Sequence, residues 1–135
     1  SIFWPVVMRT WDTFDAIPQH LYSRRFRKLR STWSPEHMES EDRVFFDALP
    51  ETFTAYRGGD SSWDFGLSWT LNAETAHQFA RGHRNILNPD PEVVCMEVKK
   101  EEVAFAAVQR DEAEIVLFRK PVVTRLRRIP YEEPE

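Results

Sequence analysis

The spacing of apolar residues divides the chain near residue 50. Before that point, apolar side chains recur every three to five positions, which is typical of amphipathic helices; they are Trp11, Phe14, Ile17, Leu21, Tyr22, Phe26 and Leu29. Pro18 interrupts this pattern. Ser34-Pro35-Glu36 is typical of a helix start and predicts a further helix that ends before Pro50. We therefore predict a helical N-terminal segment over residues 10–49.

After residue 50 the apolar residues alternate with polar ones or form short runs, which indicates strands. The predicted strands cover residues 53–57, 92–98, 103–108, 114–118 and 122–126, with 65–70 as a further short strand or an extended loop. Gly58-Gly59 is predicted to form a turn. Asn72 is predicted to cap a helix whose inner face carries Ala76, Phe79 and Ala80.

Helices first and strands afterwards predict an α+β fold rather than a regular βαβ alternation. Residues 50–127 would form the β-rich core. At 135 residues, the chain is predicted to be one domain spanning residues 1–135.

Composition excludes several classes of protein. The hydrophobic share of 41% argues against disorder, and no apolar run approaches the length of a membrane span. The single cysteine, Cys95, excludes an internal disulfide and argues for a small core residue. A net charge of −4 argues against a dedicated nucleic-acid binder. The N-terminal apolar stretch contains Pro5 and has no basic residue before it, so we predict no secretory signal and a cytoplasmic location.

Metal and dinucleotide motifs are absent from the sequence. The four histidines show no i,i+4 pairing, so no metal site is expected. Neither Gly-x-Gly-x-x-Gly nor a phosphate loop ending in Gly-Lys-Ser/Thr occurs, so a nucleotide would be held by other means.

The segment Arg24–Arg30 contains five cations in seven residues. Such a cluster can bind phosphate or a macromolecular target. The favoured interpretation is the solvated face of a helix whose residues Phe26 and Leu29 turn inward, because the whole chain is acidic.

Three polar groups in the β-rich half suggest chemistry. Arg57 lies at a strand end, next to glycines that leave the backbone open. Ser68 and Thr70 are two residues apart and share one face of an extended chain, and Glu112 and Glu114 are related in the same way. A fixed cation, two hydroxyls and two carboxylates suit a sugar–phosphate ligand whose reaction develops positive charge.

These residues resemble the three ordered motifs of the Arg–Ser–Glu class of ADP-ribosyltransferases. The matching segments are Tyr56-Arg57-Gly58, Gly66–Thr70 with the following helix, and Glu112-Ala113-Glu114. These enzymes cleave NAD between nicotinamide and ribose and transfer ADP-ribose to an acceptor. The resemblance covers roughly residues 53–118 and is closest to small intracellular members from bacteria or phages. Ser-Trp-Thr replaces the commoner Ser-Thr-Ser, but the first hydroxyl is kept as Ser68.

The resemblance implies a split mixed β-sheet and NAD as co-substrate. It implies that Arg57 binds the NAD phosphate or ribose, and that the Gly58 backbone approaches the nicotinamide amide. Ser68 would hold the nicotinamide ribose or support the catalytic glutamate, with Thr70 as a supporting hydroxyl. Glu114 would bind the ribose 2′-OH and stabilise the oxocarbenium-like transition state.

The resemblance also implies an acceptor and an aromatic partner for nicotinamide. Glu112 would orient or deprotonate the acceptor, for which a protein arginine is the leading candidate. Phe79, Trp69 and Phe65 could stack on nicotinamide, although Phe79 is as well explained as a core residue.

Other interpretations stay open at this point. Arg57 could pair with Glu114 to steady two strands, and Glu112 could belong to a solvated turn. The chain could be an NAD glycohydrolase with water as acceptor, or a non-catalytic interaction or inhibitor module on the same fold. The biological role could be that of a toxin or effector, a phage protein that modifies its host, or a regulator.

Overall fold

The computed structural model describes residues 2–11, 19–60, 67–83, 86–87, 91–108, 113–119 and 121–130. Within them lie the helices α1 (Phe3–Thr10), α2 (Gln19–Lys28), α3 (Ser40–Asp47) and α4 (Ala73–Arg81). The strands are β1 (Thr52–Asp60), β2 (Ser68–Thr70), β3 (Gly82–His83), β4 (Ile86–Leu87), β5 (Pro91–Lys99), β6 (Val103–Ala107), β7 (Glu114–Leu117) and β8 (Arg127–Ile129). The predicted α+β class is confirmed. No helix among the described residues has the length and apolar character needed to cross a bilayer.

Six strands form one sheet in the order β6-β7-β2-β1-β5-β8, and β3 pairs with β4 in a separate hairpin. Every pairing described within the large sheet is antiparallel. The expectation of a mixed sheet is therefore wrong for these strands. β2 and β5 do run in the same direction, but their connection carries α4 over β1, so β1 separates them in the sheet.

Aromatic residues join the N-terminal helices to the sheet. Trp11, which follows α1, meets Phe105 of β6 edge to face with 5.4 Å between ring centroids. Phe26 of α2 lies 6.3 Å from the same ring and is completely buried. Trp4 packs against Phe26 at 5.0 Å. The helical segment thus belongs to the same large hydrophobic cluster as β6, because its aromatic side chains pack against that strand.

The N-terminal helices differ from the predicted ones in their limits. α1 begins at Phe3, ahead of residue 10. The helix tolerates Pro5 because this residue lies in the first turn, where a backbone N–H would have no intrahelical acceptor. Ser34 does cap a helix start, with its hydroxyl accepting from the Glu36 N–H, but only the short 3-10 helix Pro35–His37 follows. Met38 then takes an extended backbone and buries its side chain, which ends that turn before α3 begins. Phe14 and Ile17 lie outside the described residues.

Two predicted features of the β-rich half are also wrong. Gly58-Gly59 is not a turn, because β5 pairs with the whole of β1 and places Val93 and Glu92 opposite the two glycines. Residues 122–126 are not a strand but include the 3-10 helix Val123–Arg125, and the last strand is β8 instead. The strands predicted at 92–98, 103–108 and 114–118 are confirmed with small changes in their limits. Cys95 is a buried free thiol in β5.

The basic cluster Arg24–Arg30 lies on a solvated face, which is the interpretation favoured by the sequence. Its five cations are exposed, whereas Phe26 is buried and Leu29 packs partly buried against the core. Arg30 stacks over Phe118, with its guanidinium carbon 4.0 Å from the ring centroid. This side of α2 is therefore a solvated face.

Glu102 fastens the corner between β5 and β6. Its carboxylate accepts two hydrogen bonds from Arg125, at 2.7 Å and 3.0 Å, and one from the Lys99 backbone N–H at 2.9 Å. Burial opposes ionisation of this carboxyl most strongly, but the bonds and charges of Arg125 and Lys99 together hold the pKa of Glu102 below its usual value. A folded-state pKa below the unfolded value means that the stabilisation is complete above the unfolded pKa and is lost as the pH falls through the folded one.

We expect Glu102→Gln to lower the free energy of unfolding at pH 7 by about 1 kcal/mol or less, because the pair is partly exposed. The difference from the parent should shrink as the pH falls below about 4.5, the ordinary value for this carboxyl. Urea unfolding at a series of pH values measures it. Asp47→Asn, which breaks the exposed i,i+4 pair with Arg43, is the control and should change stability less. A constant Glu102→Gln deficit down to the lowest pH would contradict this account.

Candidate active site

The candidate site lies where β2 separates from β1. Tyr56 of β1 lies opposite Thr70 of β2, and among the described residues the pairing does not continue to Arg57 or Gly58. Instead, Nη1 of Arg57 donates to the backbone carbonyl of Ser68 at 2.5 Å. The guanidinium of Arg57 thus links β1 to β2 at the point where the backbone hydrogen bonds between these strands end. This contact brings the arginine and serine motifs together.

The glutamate motif reaches the same place on β7, which pairs with the other edge of β2. Glu114 lies opposite Thr70, and Ser68 lies opposite Val116. Residues directly opposite one another point to the same face, as do residues two apart along a strand. Ser68, Thr70 and Glu114 therefore share one face of the sheet, as the sequence spacing of Ser68 and Thr70 predicted. The three motifs lie on three neighbouring strands.

Trp11 connects Ser68 and Glu114 directly. Its indole Nε1 lies 3.1 Å from the Ser68 hydroxyl oxygen and 3.2 Å from Oε2 of Glu114. Because an indole carries a single N–H and accepts no hydrogen bond, the two oxygens share one donor. The side chain of Trp11 is 6% exposed, so this hydrogen bond is shielded from water. The hydroxyl and the carboxylate are thereby held next to each other.

Ser68 and Glu114 are both half-buried. A half-buried carboxylate is stabilised by hydrogen-bond donors, and Trp11 supplies one. Partial exposure leaves the pair accessible to a ligand. The arrangement can present a negative charge and a hydroxyl to one polar atom or one developing positive charge.

The other predicted ligand-binding residues occupy different positions. Arg57 directly follows Tyr56 along the regular strand β1 and therefore lies on the opposite face from Glu114. Gly58 is half-buried within β1, beyond the last pair that joins β1 to β2. Trp69 is 2% exposed and faces the core, so it offers no ring surface for stacking on nicotinamide.

Thr70 has a structural contact next to the site. Its hydroxyl accepts from the backbone N–H of Asn72 at 3.1 Å, and Asn72 in turn caps α4 by accepting from the Thr75 N–H at 3.2 Å. The predicted cap is confirmed. Thr70 thus links the end of β2 to the start of α4.

Three predicted residues cannot be placed with their side chains. Glu112 and Phe65 lie outside the described residues, and Phe79 belongs to α4 without a described side chain. Their roles stay predictions.

Ala113 has a left-handed backbone immediately before Glu114, with φ of 49°. Its carbonyl accepts from the Leu71 N–H at 3.1 Å, so the loop before β7 is tied to the segment after β2. A left-handed conformation costs an L-residue with a Cβ about 1–2 kcal/mol. The chain therefore turns into Glu114 through a strained residue, as is common at functional sites.

Sequence reasoning missed Trp11 and Tyr56 as site residues. Trp11 matched the apolar face of a helix, and its partners lie far away in the sequence. The signal that could have found it is chemical, since a buried indole N–H needs an acceptor. Tyr56 shares the face of Thr70 and Glu114, but only the pairing register reveals this.

Comparison with protein-family models, with curated proteins and with solved structures gives no significant match. The described residues contain no group of three His, Cys, Asp or Glu side chains that could hold a metal ion. The support for a function therefore comes from the geometry of β1, β2 and β7 and from the hydrogen bonds of Trp11.

We expect Ala113→Gly to raise the free energy of unfolding by about 0.5–1 kcal/mol, because glycine adopts positive φ without the Cβ clash. Ala107→Gly is the matched control: Ala107 lies opposite Glu114 in β6, and glycine should weaken the strand there by a similar amount. Urea unfolding of both variants measures the effect. Equal destabilisation by the two changes would contradict a left-handed Ala113.

Proposed function

We propose that the chain is an NAD-dependent mono-ADP-ribosyltransferase, which cleaves the bond between nicotinamide and ribose and transfers ADP-ribose to an acceptor. The observation that carries the proposal is the meeting of Ser68 and Glu114 on one N–H donor, with Arg57 bonded to Ser68. These are the residues that the sequence resemblance singles out, and they come from three neighbouring strands.

In the proposed reaction the bond from C1′ of the ribose to the nicotinamide nitrogen breaks, and its electron pair leaves with neutral nicotinamide. The ribose becomes oxocarbenium-like. Glu114 holds the ribose 2′-OH and places its negative charge beside the developing positive charge. Ser68 supports that carboxylate. The partial exposure of Ser68 and Glu114 gives the ribose access.

Arg57 and Gly58 serve the remainder of NAD in this proposal. The guanidinium is permanently charged, and phosphate oxygens are its preferred partners. Its bond to the Ser68 carbonyl fixes it at the separation of β1 from β2. The Gly58 backbone lies in the same stretch of β1, beyond the last pair with β2, where the nicotinamide amide could hydrogen-bond to it without obstruction by a side chain.

The acceptor forms the new bond to C1′ and loses a proton. Glu112 takes the role of base in this step, and a protein arginine is the proposed acceptor, in keeping with the Glu-x-Glu spacing. The split-sheet ADP-ribosyltransferase fold is part of the same proposal, supported by the short pairing of β1 with β2, which among the described residues is limited to Tyr56 and Thr70. A cytoplasmic location is also proposed, since NAD is abundant there.

We expect Glu114→Gln to lower the rate of nicotinamide release from NAD by about 100- to 1000-fold, because the carboxylate charge is lost while the shape is kept. Glu97→Gln is the matched control, since Glu97 is an exposed side chain on β5, and it should release nicotinamide at the parent rate. Chromatographic detection of nicotinamide measures both. A parent protein that releases none from NAD would refute the proposed function.

We expect Glu112→Ala to separate transfer from hydrolysis. Modification of an arginine-containing protein acceptor should fall about 100-fold because the base is lost. Nicotinamide release with water as acceptor should persist. Labelled NAD allows both products to be followed in one reaction. An equal fall in both activities would contradict the division of roles between Glu112 and Glu114, and a parent that makes only free ADP-ribose would identify a glycohydrolase.

A further inference from the structure

The hydrogen bonds of Trp11 have a consequence for catalysis. We propose that Trp11 is a positioning residue, whose indole N–H holds the Glu114 carboxylate and the Ser68 hydroxyl in the orientation that the ribose requires. This inference rests on the proposed function. It makes the residue that directly follows α1 a part of the active site.

The geometry at the site supports this role. The indole nitrogen lies 3.1 Å from one oxygen and 3.2 Å from the other, so both atoms are within hydrogen-bond distance of the same donor. Ser68 and Glu114 are not directly opposite each other in the sheet. Ser68 lies opposite Val116, and Glu114 lies opposite Thr70. Ser68 and Glu114 are diagonal neighbours, and strand pairing alone does not fix the orientation of their side chains. The shared donor therefore fixes that orientation.

The position of the indole is itself fixed. Trp11 packs against Tyr22, Phe26 and Phe105, with ring centroids at 5.5 Å, 6.3 Å and 5.4 Å. These rings come from α2 and β6, so the indole is held between helix and sheet. Few other rotamers are open to a side chain enclosed in this way.

The chemistry of the indole also suits positioning. Its N–H is a donor only and does not ionise at neutral pH, so it orients a carboxylate without competing as an acid. A hydrogen bond to a charged group in a shielded place is among the stronger ones in proteins. Glu114 would otherwise have to lose alternative orientations during the reaction.

Trp4, which lies in the first turn of α1, provides a matched control. It is also buried in the aromatic cluster, 5.0 Å from Phe26. Its indole N–H also has two acceptors, the Leu29 carbonyl at 3.0 Å and the Thr32 hydroxyl at 3.1 Å. Trp4→Phe therefore removes the same atoms and likewise an indole N–H with two acceptors, but its acceptors are neutral and Ser68 and Glu114 are untouched.

The experiment compares NAD cleavage by the parent, Trp11→Phe and Trp4→Phe at a temperature below the unfolding transition of all three. We expect kcat to fall about 10- to 100-fold in Trp11→Phe, with little change in KM for NAD because the ribose and phosphate contacts remain. Trp4→Phe should keep the parent kcat even if its unfolding midpoint falls as far as that of Trp11→Phe.

Two results would overturn the inference and can be told apart. If the parent cleaves NAD and the two variants share one kcat, the positioning role is wrong while the proposed function stands. If the parent does not cleave NAD at all, the proposed function fails, and the positioning role for that reaction fails with it.

Discussion

The structure depends on one shared hydrogen-bond donor, the indole N–H of Trp11. On one side of this group lies the aromatic cluster that joins α1 and α2 to β6. On the other side lie the two oxygens to which it donates, those of Ser68 and Glu114. A buried indole without an acceptor is costly, so packing of the core and placement of the polar pair are linked.

The separation of β2 from β1 is the second constraint. Because β5 pairs with the full length of β1, the strand continues straight through two glycines past the end of its pairing with β2. Arg57 bridges the two strands at this point through the Ser68 carbonyl. An arginine that ties the strands together at the Ser68 backbone, on the opposite face of the sheet from Glu114, is both a structural element and a charge suited to phosphate. In the proposed enzyme it serves both purposes.

Local rules predicted the parts of the fold that depend on neighbouring residues. The short apolar runs within β5 and β7 and the cap at Asn72 are readable because strand composition and cap chemistry are local. Gly58-Gly59 was wrong as a turn because the partner strand, β5, decides whether glycines turn or pair. The 3-10 helix after Ser34 ended early because Met38 is buried in the core, a tertiary effect.

The candidate site was predictable to a similar extent. Spacing alone placed Ser68 and Thr70 on one face, and the pairing of β2 with β7 then brings Glu114 to it. The role of Trp11 was not predictable, since its partners are far away in the sequence and its spacing fits a core position equally well. Arg57 must face the other side of the sheet from Tyr56, because the two are adjacent in β1. That this is also the side away from Glu114 is clear only from the pairing of the neighbouring strands.

The most direct test of the account is an NMR titration of the indole N–H resonances with NAD. If NAD binds at the Ser68–Glu114 pair, the Trp11 resonance, assigned by its loss in Trp11→Phe, shifts progressively to saturation. The Trp4 resonance, whose acceptors lie elsewhere, stays in place. A Trp11 resonance that does not move as NAD is added would contradict the account, because the ribose could then not be in contact with the pair that this indole holds.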